Sequence, residues 1–182
     1  PVGKDRYRLK EKMSYAGIMD GELFWEGFSL NLAKKYVLSK VGKVIVGGDG
    51  ATWAREGAQF LGGVFQLSRF HLRRALLRGL KGDVGLANQV YQACLAGDGS
   101  LADTLLIKAQ SLAGEEEGKD IARLRGYLIE NACGLADYRL EVKGDGLRSI
   151  GAIEGNVDKL IASRMKKKGM SWTKDGGTRM AR

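Results

Sequence analysis

Between Leu72 and about Leu140 the chain has no β-branched run, only apolar residues at helical spacing, and this break in pattern most constrains the fold. Leu72, Leu76 and Leu80, then Leu101, Leu105 and Leu112, then Ile121, Leu124 and Leu128 mark three successive helical stripes. Ser100 with Asp103 reads as a capping box for the second, and Gly114-Glu115-Glu116-Glu117-Gly118 as an acidic turn before the third. The preceding segment differs. Asp20 offers an N-cap to a helix whose apolar residues Phe24, Phe28, Leu32 and Tyr36 fall four apart, with Trp25 beside them. Lys43 to Val46 closes on Gly47-Gly48 as a short strand, Ala51 to Leu61 has helical composition, and Val64 to Leu67 reads as the next strand. Helix, strand, helix, strand implies an α/β sheet with parallel pairing. After the turn Lys143-Gly144-Asp145-Gly146, Ile150 to Ile153 leads into a last helix holding Val157, Leu160, Ile161 and Met165. The expected architecture is therefore an α/β core, residues 1–68 and 141–182, interrupted by an all-helical insertion, 69–140. Residues 1–12 alternate Lys4, Arg6, Arg8, Lys10 and Lys12 with other residues, as an edge strand or an extended arm would.

Charge narrows the partners. Thirty Lys and Arg against 21 Asp and Glu leave +9 over 182 residues, so the chain attracts polyanions, and nucleic acid is the first partner expected. Two clusters together exceed this net charge. Arg69, Arg73, Arg74, Arg78 and Lys81 contribute +5 with no acid between them, and residues 161–182 hold seven Lys and Arg against Asp175 alone. Any one run, Lys166-Lys167-Lys168 included, also reads as a solvated face; phosphate contacts are the better joint explanation, because both clusters abut segments with candidate acids. Two well-separated cysteines and a single histidine, His71, argue against zinc sites, disulfide frameworks and any Ser-His-Asp triad not built on His71. No run approaches the roughly 18 apolar residues of a membrane helix, and the N-terminus has no apolar signal core, so a cytoplasmic location is expected. Pro1 in place of an initiator Met, and an end within a basic run at Arg182, suggest part of a longer protein.

Two carboxylates stand where chemistry could occur. Asp49 follows the strand Val44-Ile45-Val46 between Gly48 and Gly50, at the sheet edge where open α/β folds bind ligands. It could equally cap the helix beginning near Ala51. A dinucleotide fingerprint does not fit: Trp53 occupies the place of the third glycine, and Phe65-Gln66-Leu67-Ser68 offers no acid on the next strand. Glu154 shares a helical stripe with Val157, Ile161 and Met165, where it needs an Arg, hydrogen bonds or a metal ion, or else it faces the helix N-terminal dipole. Two such acids from distant segments are what a magnesium site for phosphoryl transfer requires, usually with a third. His71 reads either as a hydrogen-bonded packing residue or as a ligand.

Gly48-Asp49-Gly50-Ala51-Thr52-Trp53, Phe70-His71-Leu72, Ile153-Glu154-Gly155-Asn156-Val157, Ser163-Arg164-Met165 and Gly169-Met170-Ser171-Trp172 together resemble a bacterial insertion-sequence transposase family of the DDE class, distantly related to Mutator-like transposases. The resemblance runs from about Tyr15 to Arg182 and is most specific from Glu154 to Trp172. It implies a ribonuclease H-like fold, N-terminally incomplete here, with a helical insertion before the last acid. It implies Asp49 and Glu154 as catalytic ligands of Mg2+ or Mn2+, cutting and rejoining DNA by in-line attack on a phosphodiester. DNA contacts fall on Arg69, His71, Arg73, Arg74, Arg78, Asn156, Arg164, Lys166, Lys167, Lys168, Trp172 and Lys174. The implied partners are transposon ends and target DNA, bound by a homo-oligomer in a nucleoid-associated complex.

Two departures qualify this. The family's first catalytic Asp lies upstream of anything in this chain, and Ser68 stands where the family usually has Asp three residues before the His. With only two acids, the chain by itself is expected not to nick DNA. The alternatives are a catalytically inactive DNA-binding remnant of a transposase, or a ribonuclease H-like nuclease of another kind such as a resolvase.

Overall fold

The computed structural model describes residues 13–144, 147–150 and 171–181. The expected arm at 1–12, the segment Gly151 to Ile153 and the helix around Val157 to Met165 lie outside the described residues. The chain divides into two compact units, residues 37–154 and the two flanking stretches. The parts described are a mostly helical α/β arrangement with a two-stranded parallel sheet.

In the flanking unit, α1 (Gly21–Ala33) starts where Asp20 Oδ1 accepts the Leu23 N–H at 2.9 Å, as the sequence predicts. Its buried side chain is Trp25, not the Phe24–Phe28 stripe that spacing favours. Tyr15, Phe24, Trp25 and Phe28 instead form one aromatic cluster with ring centroids 5.2 to 6.1 Å apart. Tyr36 lies beyond the helix end and is exposed. Trp172 is exposed, and Lys174 opens the short helix Lys174–Ala181.

In the other unit, β1 (Ile45–Gly48), α2 (Thr52–Phe60) and β2 (Val64–Leu67) form a strand-helix-strand unit, with Ile45 opposite Val64 and Gly48 opposite Leu67. α2 covers both strands. It can approach closely because Gly48 has no side chain: a Cβ there would stand 3.0 Å from Ala54 Cβ and from the Phe65 ring.

The helical block has four helices, not the three read from leucine spacing: α3 (Arg69–Gly79), α4 (Val84–Ala96), α5 (Gly99–Leu112) and α6 (Glu115–Glu130). Neighbours pack in sequence and α6 returns to α3, closing a ring. Leucine spacing does not reveal α4 because its buried residues, Ala87, Val90, Ala93 and Cys94, are small. Its caps are visible in the sequence all the same. Asp83 accepts the Leu86 N–H at 3.0 Å, and Gly97 ends the helix at φ +79°. α5 corrects the sequence expectation twice. Its N-cap is Asp98, which accepts from Leu101 N at 2.9 Å, so Ser100 lies inside the first turn. Its core stripe is Ala102 and Leu106, while Leu101 and Leu112 are exposed. Spacing alone cannot separate these registers, because a small residue suits a close helix contact better than a leucine does. Glu115, Glu116 and Glu117 are the first turn of α6, where they complement its dipole, and do not form a turn before it.

After α6 the chain returns to β2. Gln66 is buried, yet both ends of its amide are paired: Nε2 donates to the Gly134 carbonyl at 2.8 Å and Oε1 accepts the Tyr138 N–H at 2.8 Å. Asp137 fastens the same segment to the start of α3 through Arg69 and also pairs with Arg139. The Arg139 guanidinium, its backbone N–H and the charge of Arg69 hold the Asp137 carboxyl at about 2, against the opposing effect of burial. A depressed carboxylate stabilises the fold above its ordinary range near 4 and loses that contribution as pH falls through about 2. Asp137→Asn is therefore expected to cost roughly 1–2 kcal/mol at neutral pH and to flatten the acid limb of the stability curve between about pH 4 and pH 2. Urea unfolding at several pH values checks this; a variant curve parallel to wild type would show that the ion pairs contribute nothing.

Candidate functional site

β1 delivers Asp49 to the C-terminal edge of the sheet. The chain then reverses at Gly50, whose φ of +100° suits glycine alone, and Asp49 Oδ1 accepts the Ala51 N–H at 3.0 Å. This two-residue bond braces the turn. The N-cap position of α2 is Ala51, which has no side-chain cap, so Asp49 precedes the helix and its carboxylate is exposed.

Asp49 stands on the rim of an open cavity of about 600 Å³. Two helix stripes make its walls. His71, Arg74, Ala75, Arg78 and Gly79 come from α3, and Asp120, Arg123, Leu124 and Tyr127 from α6, each set at three- and four-residue spacing. The helices touch closely at Gly79, where a Cβ would come within 2.9 Å of Leu124. Three arginines and one histidine thus face two carboxylates. Arg123 Nη1 pairs with Asp120 Oδ1 at 3.0 Å, and Lys81 reaches Asp120 at 4.0 Å, so Asp120 is engaged as an ion-pair partner. Tyr127 Oη donates to the Asp49 carbonyl oxygen at 3.2 Å. Burial, then the nearby charge of Asp49, raises the Tyr127 hydroxyl above its usual range, keeping it a donor at neutral pH.

The structure thus brings together four of the residues singled out in the sequence: Asp49, His71, Arg74 and Arg78. Arg69 and Arg73 have partners elsewhere. Arg69 pairs with Asp137, and Arg73 donates to Asn88 Oδ1 at 2.8 Å and lies over the Tyr91 ring. Ser68 is the buried residue between β2 and α3. Trp172 and Lys174 belong to the other unit. Glu154, Asn156, Arg164, Lys166, Lys167 and Lys168 lie outside the described residues. Among the described residues no three His, Cys, Asp or Glu side chains gather as a metal cluster. Asp49, an exposed hard oxygen donor that accepts one backbone N–H, fits a magnesium ligand as a single member of such a set.

Sequence reasoning missed Asp120, Arg123 and Tyr127, and the Arg55 and Asn131 side chains behind the Asp49 turn. The first three share one stripe of α6 beside its leucines, and their signal in the sequence is an acid, an arginine and a tyrosine recurring at three- and four-residue spacing along the polar flank of that helix.

The pattern of the uncharacterised protein family UPF0236 matches residues 3–182. The chain belongs to UPF0236. Curated UPF0236 relatives come from Caldanaerobacter subterraneus subsp. tengcongensis. One is 23% identical over 163 residues and is named for eleven loci. A second, named for four loci, is 24% identical over 163 residues. Each alignment covers 88% of this chain and 34% of the relative, so the chain spans about a third of the length of the UPF0236 proteins it matches. No solved structure matches the chain. No helix among the described residues is long and apolar enough to cross a membrane.

Proposed function

We propose that this UPF0236 chain is part of the catalytic core of a DNA transposase of the DDE class, with a ribonuclease H-like fold. The observation that carries the reading is Asp49 at a sheet's C-terminal edge beside a cavity walled by Arg74, Arg78 and Arg123. A carboxylate next to guanidinium groups suits a site that must hold a divalent cation and a phosphodiester at once. The relatives add independent support, since a protein present at eleven loci of one genome is what a self-propagating element leaves behind.

In this reading Asp49 and Glu154 hold Mg2+ or Mn2+, which when bound activates the attacking oxygen and stabilises the leaving one. Arg74 and Arg78, exposed on one stripe of α3, hold the DNA backbone as charged donors. Arg123, paired with Asp120, lines the same cavity from α6. The turn at Gly50 keeps Asp49 in place without using up its charge.

The test is strand transfer by the full-length protein. Labelled duplexes carrying the ends of the element, incubated with Mg2+ and a supercoiled plasmid, are expected to yield end-joined product. Protein that binds DNA but forms no joined or nicked product with any divalent cation would reject catalysis and leave the DNA-binding remnant.

A further inference from the structure

The turn carrying Asp49 is held from outside by side chains that no motif marks. Arg55 Nη1 donates to the Gly50 carbonyl at 2.5 Å and to Asn131 Oδ1 at 2.9 Å. Asn131 Nδ2 donates to the Tyr127 carbonyl at 2.9 Å, and Tyr127 Oη donates to the Asp49 carbonyl at 3.2 Å. Both carbonyls of the turn therefore accept from residues beyond it, one on α2 and one on α6. Asn131 is only 1% exposed, and its amide can face one way only, with oxygen toward the guanidinium and nitrogen toward the carbonyl. The turn is also pressed against it: a Cβ on Gly50 would stand 2.7 Å from Asn131 Oδ1. Asp49 itself contributes a single bond within the turn, to Ala51 N. Its own side chain thus supplies one bond to the turn, beside the two that come from Arg55 and Tyr127.

We propose that Arg55, Asn131 and Tyr127 are positioning residues that clamp the Asp49 turn to the C-terminal end of α6, so that the helical block fixes where the carboxylate stands. The proposal rests on the reading of Asp49 as a metal ligand. Groups that orient a ligand in this way typically alter metal affinity about 10- to 100-fold when removed. A clamp spanning 76 residues of sequence between Arg55 and Asn131 also joins α2 to the C-terminal end of α6, the helix that forms one wall of the cavity.

The experiment uses full-length protein and Mn2+ as the probe, with free Mn2+ counted by electron paramagnetic resonance. Asn131→Ala is expected to weaken Mn2+ binding about 10- to 100-fold, and Tyr127→Phe, which removes only the hydroxyl, about 3- to 10-fold. Hydrogen exchange at the Ala51 amide is expected to quicken in both variants, a readout that needs neither metal nor turnover. If Asn131→Ala lowers the melting temperature sharply, Tyr127→Phe decides, since it leaves the core filled. Wild-type Mn2+ affinity and wild-type exchange in Tyr127→Phe would overturn the clamp. Asp49→Asn separates the two failures. Loss of Mn2+ binding in that variant alone overturns the clamp and keeps the ligand, whereas unchanged binding in it overturns the ligand reading on which the clamp rests.

Discussion

Asp49→Asn in the full-length protein is expected to lower strand transfer about a thousandfold or more, equivalent to roughly 4 kcal/mol or more of lost transition-state stabilisation. The substitution is chosen because it keeps everything except the charge. The carboxamide oxygen can still accept the Ala51 N–H, so the turn at Gly50 persists and α2 starts where it did. DNA affinity is expected to stay within about twofold or to rise slightly, because removing a negative group beside Arg74 and Arg78 favours an anionic ligand. Single-turnover assays with pre-cut ends, alongside binding by anisotropy, separate the two effects. A loss smaller than about tenfold would make Asp49 a turn residue only, the other role its place before α2 allows.

The second large effect is on binding. If about five or six phosphates are neutralised, log K for duplex DNA should fall against log salt with a slope of roughly −4 to −6, a loss of about 250- to 4,000-fold between 50 and 200 mM. The structure refines which side chains set that slope. Arg69 and Arg73 are tied to Asp137 and to Asn88 and Tyr91, whereas Arg74 and Arg78 open onto the cavity. Arg74→Ala with Arg78→Ala is thus expected to reduce the slope by about 2, and Arg73→Ala by clearly less than 1. Anisotropy titrations at four or five salt concentrations measure all three. A slope near zero for the wild type would remove electrostatic DNA binding altogether, and a change for Arg73→Ala equal to half that of the double variant would mean that the intramolecular partners do not hold in solution.

The elements most visible in the sequence are those whose signal is local. Val64 to Leu67 is a strand as expected, and Asp20 caps its helix, because a β-branched or aromatic run after a pair of glycines and an acid before an apolar stripe act over a few residues. Leucine spacing misplaces the core of α5 and overlooks α4, since both bury small residues whose value lies in letting helices approach. At the site, Asp49 and the arginines of α3 are legible from glycine flanks and a run without acids. The spacing of Arg123 and Tyr127 marks only a polar flank of α6, and Arg55 and Asn131 carry no such mark, because what these residues do comes from contacts between segments tens of residues apart. No spacing rule encodes such a meeting.

The amide of Gln66 also bears on how this sheet can grow. Its pairings with Gly134 and Tyr138 hold the segment after α6 against β2, and a Cβ on Gly134 would come within 2.9 Å of the Leu67 nitrogen. In this parallel register Val64 and Ser68 turn their N–H groups toward β1, which leaves those of Phe65 and Leu67 facing outward, under that segment. The outer flank of β2 is thereby closed to a newcomer. A further strand supplied by a longer chain could join alongside β1, and one running parallel there would end next to Asp49. A buried glutamine on one side of the sheet thus dictates that growth proceeds from the other, the side that carries the exposed carboxylate.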